Sequence, residues 1–539
     1  MKYGFIIDNR KCIGCHACTT ACKSEHDVPV GVYRTFVKQV EKGTFPNTRR
    51  VFTVMRCNHC TDAPCVEICP VEALYFRPDG IVDFDKNRCI GCKSCMQACP
   101  YDALYIDPDT HTAAKCNYCA QRIDIGLEPA CVNVCPEHAI ISGDMDNPNS
   151  EIAELLSRET VTVRKAAKGT HPNLFYIDGD EAALNPVATE KTPVTLWGAQ
   201  ARGVGHFAKD AEKLAYDGDD IVATAMKETT VDGNTVRPAS SAHVMLGNQK
   251  RVYDAPDKGI LWGWEVSAYV WTKAIAAGAF LVFAFASLFP EYSSLLDLEM
   301  LGMGTAAVLI SLVFLGLTGI LLIKDLDQPK RFLYVLLRPQ WNSWLVKGAY
   351  AITLYGAMLT LWGLSVMFGW RLASQLAFWL AVVSGVITAV YTAFLFAQAK
   401  GRDFWQSPSL AVHMLVHSFM AGAAALAIAT FFLGKFEITA DYLGMVMLTG
   451  IGINLLTIIV ELVMKHPTED AELTVEMITK GRYSRLFWFG AIVMGNLLPF
   501  ALLIYGGNEL MLAASVLVLA GILITEKIWV EAPQRIPLN

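Results

Sequence analysis

Residues 89–100 read CIGCKSCMQACP, and residues 12–22 read CIGCHACTTAC with the same C-x2-C-x2-C-x3-C spacing. Residues 57–70 read CNHCTDAPCVEICP, and residues 116–136 read CNYCAQRIDIGLEPACVNVCP. These four runs hold all sixteen cysteines: Cys12, Cys15, Cys18 and Cys22; Cys57, Cys60, Cys65 and Cys69; Cys89, Cys92, Cys95 and Cys99; and Cys116, Cys119, Cys131 and Cys135. An iron–sulfur cube needs four thiolates on one centre. A loop of closely spaced cysteines supplies three, and a distant fourth, usually followed by proline, ligates the neighbouring cluster. Sixteen cysteines in four such runs predict four 4Fe–4S clusters. A disulfide framework suits a small secreted domain, and nothing at the N-terminus looks secretory. Structural zinc uses C-x2-C pairs, but it explains neither the C-x3-C-P endings nor their similar continuations, CPVEAL, CPYDAL and CPEHAI.

Outward from these runs, composition shifts sharply. At 539 residues and 53% hydrophobic content, the chain is too long and too apolar for one soluble domain. Up to about residue 260 it is polar. Beyond that it is dominated by apolar stretches and has no cysteine. A net charge of −6 without a basic block gives no sign of nucleic-acid binding. The opening MKYGFIIDNRKC is too short in its apolar run for a signal-peptide core and lacks a twin-arginine pair. Reduced thiolates also suit a reducing compartment, so the first half is expected in the cytoplasm unless an exported partner carries it across.

Within residues 1–180, IIDNRKCIGCHAC and VDFDKNRCIGCKSC form an internal repeat, each pairing a short strand with a cysteine loop. A basic residue precedes every run: Lys11, Arg56, Arg88 and Lys115. Positive charge beside a cluster favours its reduced form, whereas solvated surface cations would do nothing of the kind. Residues 181–260 read as an extended linker without a phosphate loop, dinucleotide fingerprint or hydrolase elbow.

Residues 261–539 contain eight apolar stretches of membrane-spanning length, at 264–288, 303–323, 346–368, 375–397, 409–433, 442–464, 486–505 and 510–530. The fold class is therefore an α+β ferredoxin-like multi-cluster domain followed by an all-α integral membrane bundle of eight transmembrane helices. On the side shared with the N-terminal domain lie Lys324, Lys330, Arg331, Arg338, Lys400, Arg402, Lys465, Lys480, Arg482, Lys527 and Arg535. The opposite loops offer Arg371 and Lys435. This asymmetry puts the cluster domain in the cytoplasm, at the inner membrane of a bacterium.

The span region offers few haem ligands. His413 and His417 stand at i, i+4 on one face of one helix, and His466 is in a loop, so no haem is expected in this chain. Electrons from the clusters then need a lipid-soluble acceptor, and a quinone (menaquinone or ubiquinone) is the natural one. Ionisable residues within spans are functional candidates, here Glu265, Lys273, His413, His417, Glu461 and Glu526 for a quinone site or proton path. Their structural alternatives are snorkelling into the headgroups for Glu461 and Glu526, and interhelical hydrogen bonding for the histidines. Lys273, near mid-depth, requires a carboxylate or carbonyl partner.

Residues 1–180 resemble the four-cluster ferredoxin subunit of the molybdopterin oxidoreductases, of the dimethyl-sulfoxide reductase, polysulfide reductase and formate dehydrogenase types. The resemblance implies that Cys12, Cys15 and Cys18 join Cys135, that Cys116, Cys119 and Cys131 join Cys22, that Cys57, Cys60 and Cys65 join Cys99, and that Cys89, Cys92 and Cys95 join Cys69. Run one departs from the pattern in having Lys23 where a proline usually follows. Residues 260–530 are similar to the eight-helix NrfD-like subunit of polysulfide reductase, on WGWEVSAYVWTKAIAAGAFL, KDLDQPKRFLYVLLRPQWNSW and YTAFLFAQAKGRDFW. That family normally keeps the two subunits on separate chains, so this chain looks like a natural fusion.

The two resemblances together imply an electron-transfer and quinone-site subunit of a membrane-bound respiratory oxidoreductase with no substrate-activating site of its own. The expected partner is a molybdopterin- or tungstopterin-containing catalytic subunit, with formate or sulfite oxidation as the first expectation. The alternatives are a quinol-oxidising terminal reductase and a cluster and proton-conducting module like that of alternative complex III.

Overall fold

The computed structural model describes residues 1–44, 46–189, 249–289, 302–434 and 436–539. Most of the expected linker, and Lys435, lie outside the described residues.

Among the described residues the strands are β1 (Tyr3–Asp8), β2 (Thr35–Thr44), β3 (Asn47–Arg56), β4 (Leu74–Phe76), β5 (Val82–Phe84), β6 (Tyr105–Ile106), β7 (Ala113–Ala114), β8 (Ile140–Asp144), β9 (Val161–Thr162), β10 (Leu174–Ile177) and β11 (Gln249–Tyr253). A four-stranded sheet runs β8-β1-β10-β9. Its centre is β1, which pairs antiparallel with β8 and parallel with β10. The sequence YGFIID suits that place, because Phe5, Ile6 and Ile7 are apolar in succession and all are buried, as a strand covered on both faces requires. Phe5 and Ile7 pack towards Cys18, Cys131 and Tyr118, while Ile6 packs on Ile141, Ile152 and Ile177. A second sheet adds β11 to the β2–β3 hairpin. The described ends of the 181–260 stretch are thus a short helix, Glu181–Leu184, and a strand of the cluster domain.

Among the described residues, eight helices are long and apolar enough to cross a membrane: Trp264–Leu288, Met303–Lys324, Trp344–Met367, Arg371–Gln398, Ser409–Phe432, Thr439–Val463, Leu486–Tyr505 and Asn508–Arg535. They are called the first to eighth spans below. Each coincides with an expected stretch to within a few residues. The first span is the hub. Its apolar window is 83% buried against 28% for the third and seventh, and Ala276, Ala277, Gly278 and Ala279 have side chains small enough for neighbours to approach closely. A methyl on Gly278 would lie 1.7 Å from the Ser418 carbonyl oxygen, and one on Gly422 would lie 2.1 Å from the Gly278 carbonyl carbon. The first and fifth spans therefore cross backbone to backbone.

The seventh span begins as a twelve-residue π-helix, Leu486–Leu497, and continues as an α-helix, Leu498–Tyr505. Its Gly495 lies against Gly521 of the eighth span, where an added methyl on Gly521 would come within 2.1 Å of the Gly495 Cα. π-Helical turns are rare and are frequently found at functional sites.

The cluster domain rests on one end of the bundle through a polar seam. Gln97 Nε2 donates to Gln534 Oε1 at 2.5 Å, and the same oxygen accepts from the backbone of Leu261 and Trp262. Arg402 donates to Gln97 Oε1 and to the Pro533 and Ile536 carbonyls. Lys165 pairs with Asp470, and Lys168 with Asp403. Beneath these bonds one apolar cluster joins Ile68, Ile90, Ala98 and Leu104 of the cluster domain to Leu261, Val335, Val346 and Leu395 of the bundle.

Candidate functional site

The four cysteine runs meet in an exchanged pattern. One cavity is lined by Cys12, Cys15, Cys18 and Cys135, a second by Cys69, Cys89, Cys92 and Cys95, and a third by Cys57, Cys60, Cys65 and Cys99. Cys22 and Cys119 both face Cys116 and Cys131. Run one exchanges its last cysteine with run four, and run two with run three.

Local backbone explains the repeated CP endings. Glu72, Asp102 and His138, each three residues after the cysteine, have φ of 50°, 53° and 46°. That left-handed residue turns the next N–H back towards the sulfur. Ala73 N donates to Cys69 Sγ and Ala139 N to Cys135 Sγ, both at 3.2 Å. The matching cysteine loops of runs one and three repeat a second feature, with His16 and Lys93 at φ 60° and 59° just after the second cysteine.

The quartets fit a polynuclear group better than a single ion. Among the described residues no three cysteine sulfurs lie within 4.8 Å of one another, whereas a Zn–S distance of about 2.3 Å implies sulfurs about 3.8 Å apart. Burial pushes the Cys18 thiol up to about 11 and the Cys92 thiol up to about 12, so thiolates at these positions require a bound cation to hold them.

The four basic residues separate into two kinds. Arg56 is buried, donates to Cys131 Sγ at 3.1 Å and lies over the Phe5 ring. Lys115 is buried and donates to the carbonyls of Val82 and Cys116. Arg88 instead pairs with Glu72, and Lys11 is exposed.

The quartet of Cys69, Cys89, Cys92 and Cys95 abuts the bundle. Trp262 Nε1 donates to the Cys92 carbonyl at 3.2 Å, Arg331 donates to the Cys89 carbonyl, and Gln328 N donates to the Ile90 carbonyl. Lys93 donates to the Asp325 carbonyl and pairs with Asp327. Burial, opposed by Lys93, pushes the Asp325 carboxyl up to about 7. Glu265 stands nearby, 3.8 Å from Lys324. From this seam the rings of Trp262, Phe396 and Trp405 stack with centroids 4.7–5.7 Å apart. Trp405 donates to the Trp529 carbonyl, and the Trp529 ring lies 5.3 Å from His413.

His413 belongs to a buried polar cluster. His417 Nδ1 lies 2.7 Å from Glu526 Oε1, and its Nε2 lies 3.1 Å from Asn454 Oδ1. His413 Nδ1 is 3.5 Å from Glu461 Oε2, and its Nε2 is 3.8 Å from Glu526 Oε1. Glu461 accepts from Ser409 and from the Trp529 indole. The carboxylates do not reach into a headgroup region, since both are almost completely buried. Lys273 finds a carbonyl rather than a carboxylate, donating to Ala389 O at 2.9 Å and to Thr392 Oγ1 at 2.8 Å. Of the sequence candidates, His413, His417, Glu461 and Glu526 come together, Lys273 lies beside them, and Glu265 stays at the seam. Sequence reasoning missed Trp262, Trp529, Asp325, Asn454 and Asn496. Two lone asparagines inside apolar runs, GINLL and MGNLL, were the available signal.

Comparison with known proteins agrees with this architecture. Two family models, each described as 4Fe-4S dicluster domain, match residues 5–70 and 48–145. The family model described as Polysulphide reductase, NrfD matches residues 255–534. The chain is 44% identical over 200 residues to a subunit of the tetrathionate reductase of Salmonella typhimurium, covering 36% of this chain and 80% of that one. It is 43% identical over 186 residues to a component of the polysulfide reductase of Wolinella succinogenes, covering 34% and 97%. It is 32% identical over 225 residues to the arsenate respiratory reductase iron-sulfur subunit of a Shewanella strain, covering 33% and 96%.

Proposed function

Because this chain belongs to the polysulphide reductase NrfD family, and carries iron–sulfur domains on the same polypeptide, we propose that it passes electrons between a molybdopterin-type catalytic subunit and the membrane quinone pool. The four quartets would hold four 4Fe–4S clusters, which supply one-electron carriers. The observation that carries the reading is the seam at Trp262 and Cys92, where the quartet of Cys69, Cys89, Cys92 and Cys95 meets the first span. Electrons leaving that quartet emerge at the end of the bundle that carries Glu265 and Asp325, and His413, His417, Glu461 and Glu526 lie deeper on the same side.

Quinone chemistry moves two protons with two electrons. Glu461, His413, Glu526 and His417 form a contiguous set of proton-accepting groups, with Lys273 beside them. The cluster domain is assigned to the cytoplasmic face on the positive loops. The favoured direction is quinol oxidation coupled to reduction at the catalytic partner, because the relatives are subunits of tetrathionate, polysulfide and arsenate reductases. The names of these relatives lend no support to formate or sulfite oxidation.

The test uses the full chain in lipid vesicles containing a quinone, with a dithionite-reduced viologen as soluble donor. Reduction of the clusters followed by their reoxidation by quinone is expected. Clusters that reduce but never exchange electrons with any quinone would overturn the reading.

A further inference from the structure

Asn454 and Asn496 have no assigned role, yet their amides are fixed in a single orientation. Asn496 Nδ2 lies 2.8 Å from the Ala491 carbonyl, five residues back in the π-helix. A carbonyl only accepts, so this end of Asn496 must be its NH2 group. Asn496 Oδ1 therefore faces the next group as an acceptor, and Asn454 Nδ2 donates to it at 2.9 Å. Asn454 Oδ1 is left pointing at His417 Nε2, 3.1 Å away. His417 Nε2 must then carry hydrogen. With that nitrogen a donor, a second proton has to lie between Nδ1 and Glu526 Oε1 for the 2.7 Å contact to be a hydrogen bond. It sits either on an imidazolium facing a carboxylate or on a carboxylic acid facing a neutral ring.

We infer that Asn496 and Asn454 are positioning residues, which carry the polarity of the π-helix to His417 and so make His417 and Glu526 hold one transferable proton for the quinone reaction. This rests on the assignment of the polar cluster to quinone chemistry. The cluster is built for a proton to move through it. His413 Nε2 lies 3.8 Å from the same Glu526 oxygen, and neither ring nitrogen of His413 has a hydrogen bond. Transfer of the shared proton to His413 breaks one bond to hydrogen and forms one N–H bond, and no electron moves. Glu461, 3.5 Å from the other nitrogen of His413, accepts or returns the proton on the Ser409 side. The titratable groups facing His417 and Glu526 are His413 on the fifth span and Lys273 and Tyr269 on the first, and Glu461 on the sixth faces His413. The Gly495–Gly521 contact holds the π-helix against the span that carries Glu526.

The experiment compares N454L, N496L and N454D with the parent chain in quinone-containing vesicles, using the reduced viologen donor. N454L and N496L are expected to slow cluster reoxidation by quinone at least about tenfold and to move its pH profile. N454D keeps an acceptor facing Nε2, so it is expected to restore the rate with the profile displaced to higher pH. In infrared difference spectra the band lost in E526Q identifies Glu526, and that band is expected to shift in N454D. An unchanged pH profile and infrared band in the asparagine variants, with turnover lost in E526Q, would overturn the relay and leave the quinone assignment standing. Full quinone turnover in both E526Q and H417F would overturn the assignment itself. If N454L does not assemble, the profile and band of N454D decide the matter.

Discussion

The indole N–H of Trp262 donates to the backbone carbonyl of Cys92 at 3.2 Å. One bond thus ties a cysteine loop of the innermost quartet to the entrance of the most buried span. Around it, Gln534 accepts from Gln97, Leu261 and Trp262, and donates to the Trp262 and Val530 carbonyls. Both of its amide atoms are occupied at a seam between two domains, where an unpaired buried amide would be costly.

Trp262→Phe keeps a ring on the Phe396–Trp405 stack and removes only the indole donor. It is expected to cost about 1–3 kcal/mol through the abandoned Cys92 carbonyl and to slow quinone-linked reoxidation without altering cluster reduction. Thermal denaturation and stopped-flow reoxidation check the two halves.

Iron analysis of the anaerobically purified chain is expected to give about sixteen irons, four per quartet. Cys95→Ser removes one ligand from the quartet beside the bundle. It is expected to lose that cluster's resonance in low-temperature electron paramagnetic spectra and to uncouple the remaining clusters from quinone.

Gly278→Ala places a methyl against the Ser418 carbonyl, one residue from His417. Overpacking of this kind costs about 1–3 kcal/mol or more. Quinone turnover is expected to fall while the iron content holds. Gly316→Ala is the control, because a methyl there meets nothing within 4 Å, and it should behave as the parent.

Asp325 gives a pH signature. Its carboxyl is pushed up to about 7 in the folded chain, above its ordinary value near 3.9, so the folded state holds this proton more tightly than the unfolded state. Its contribution to stability is therefore present in full at acid pH and is lost as pH rises towards 7. Asp325→Asn removes that loss. The melting-temperature difference between variant and parent is expected to widen in the variant's favour from pH 5 to pH 8.

The parts of the architecture legible in the sequence were those that repeat at short range. Cysteine spacing is local, and so is a twenty-residue apolar run. The insertion of β10 beside β1 joins residues about 170 apart, and the meeting of Gln97 with Gln534 spans 437, and neither leaves a local pattern. Glu461 and Glu526 sit near helix ends, where sequence position suggests contact with headgroups. The cluster domain and the C-terminal turn cover those ends, however, and Trp405 and Trp529 are buried there. Tertiary cover turned two apparent surface carboxylates into interior ones. The asparagine relay was hidden for a related reason. Its logic lies in which end of each amide faces which neighbour, and one-letter codes do not record that.

Arg251 clasps the chain on either side of the stretch from 190 to 248. Its guanidinium reaches Thr189 Oγ1 at 2.8 Å and the Pro186 carbonyl, and it is pinned by Asp254 at 2.7 Å. The strand that follows is already zipped onto β2. Severing the polypeptide between those two points would sacrifice none of these contacts, so the halves should stay mated as two molecules.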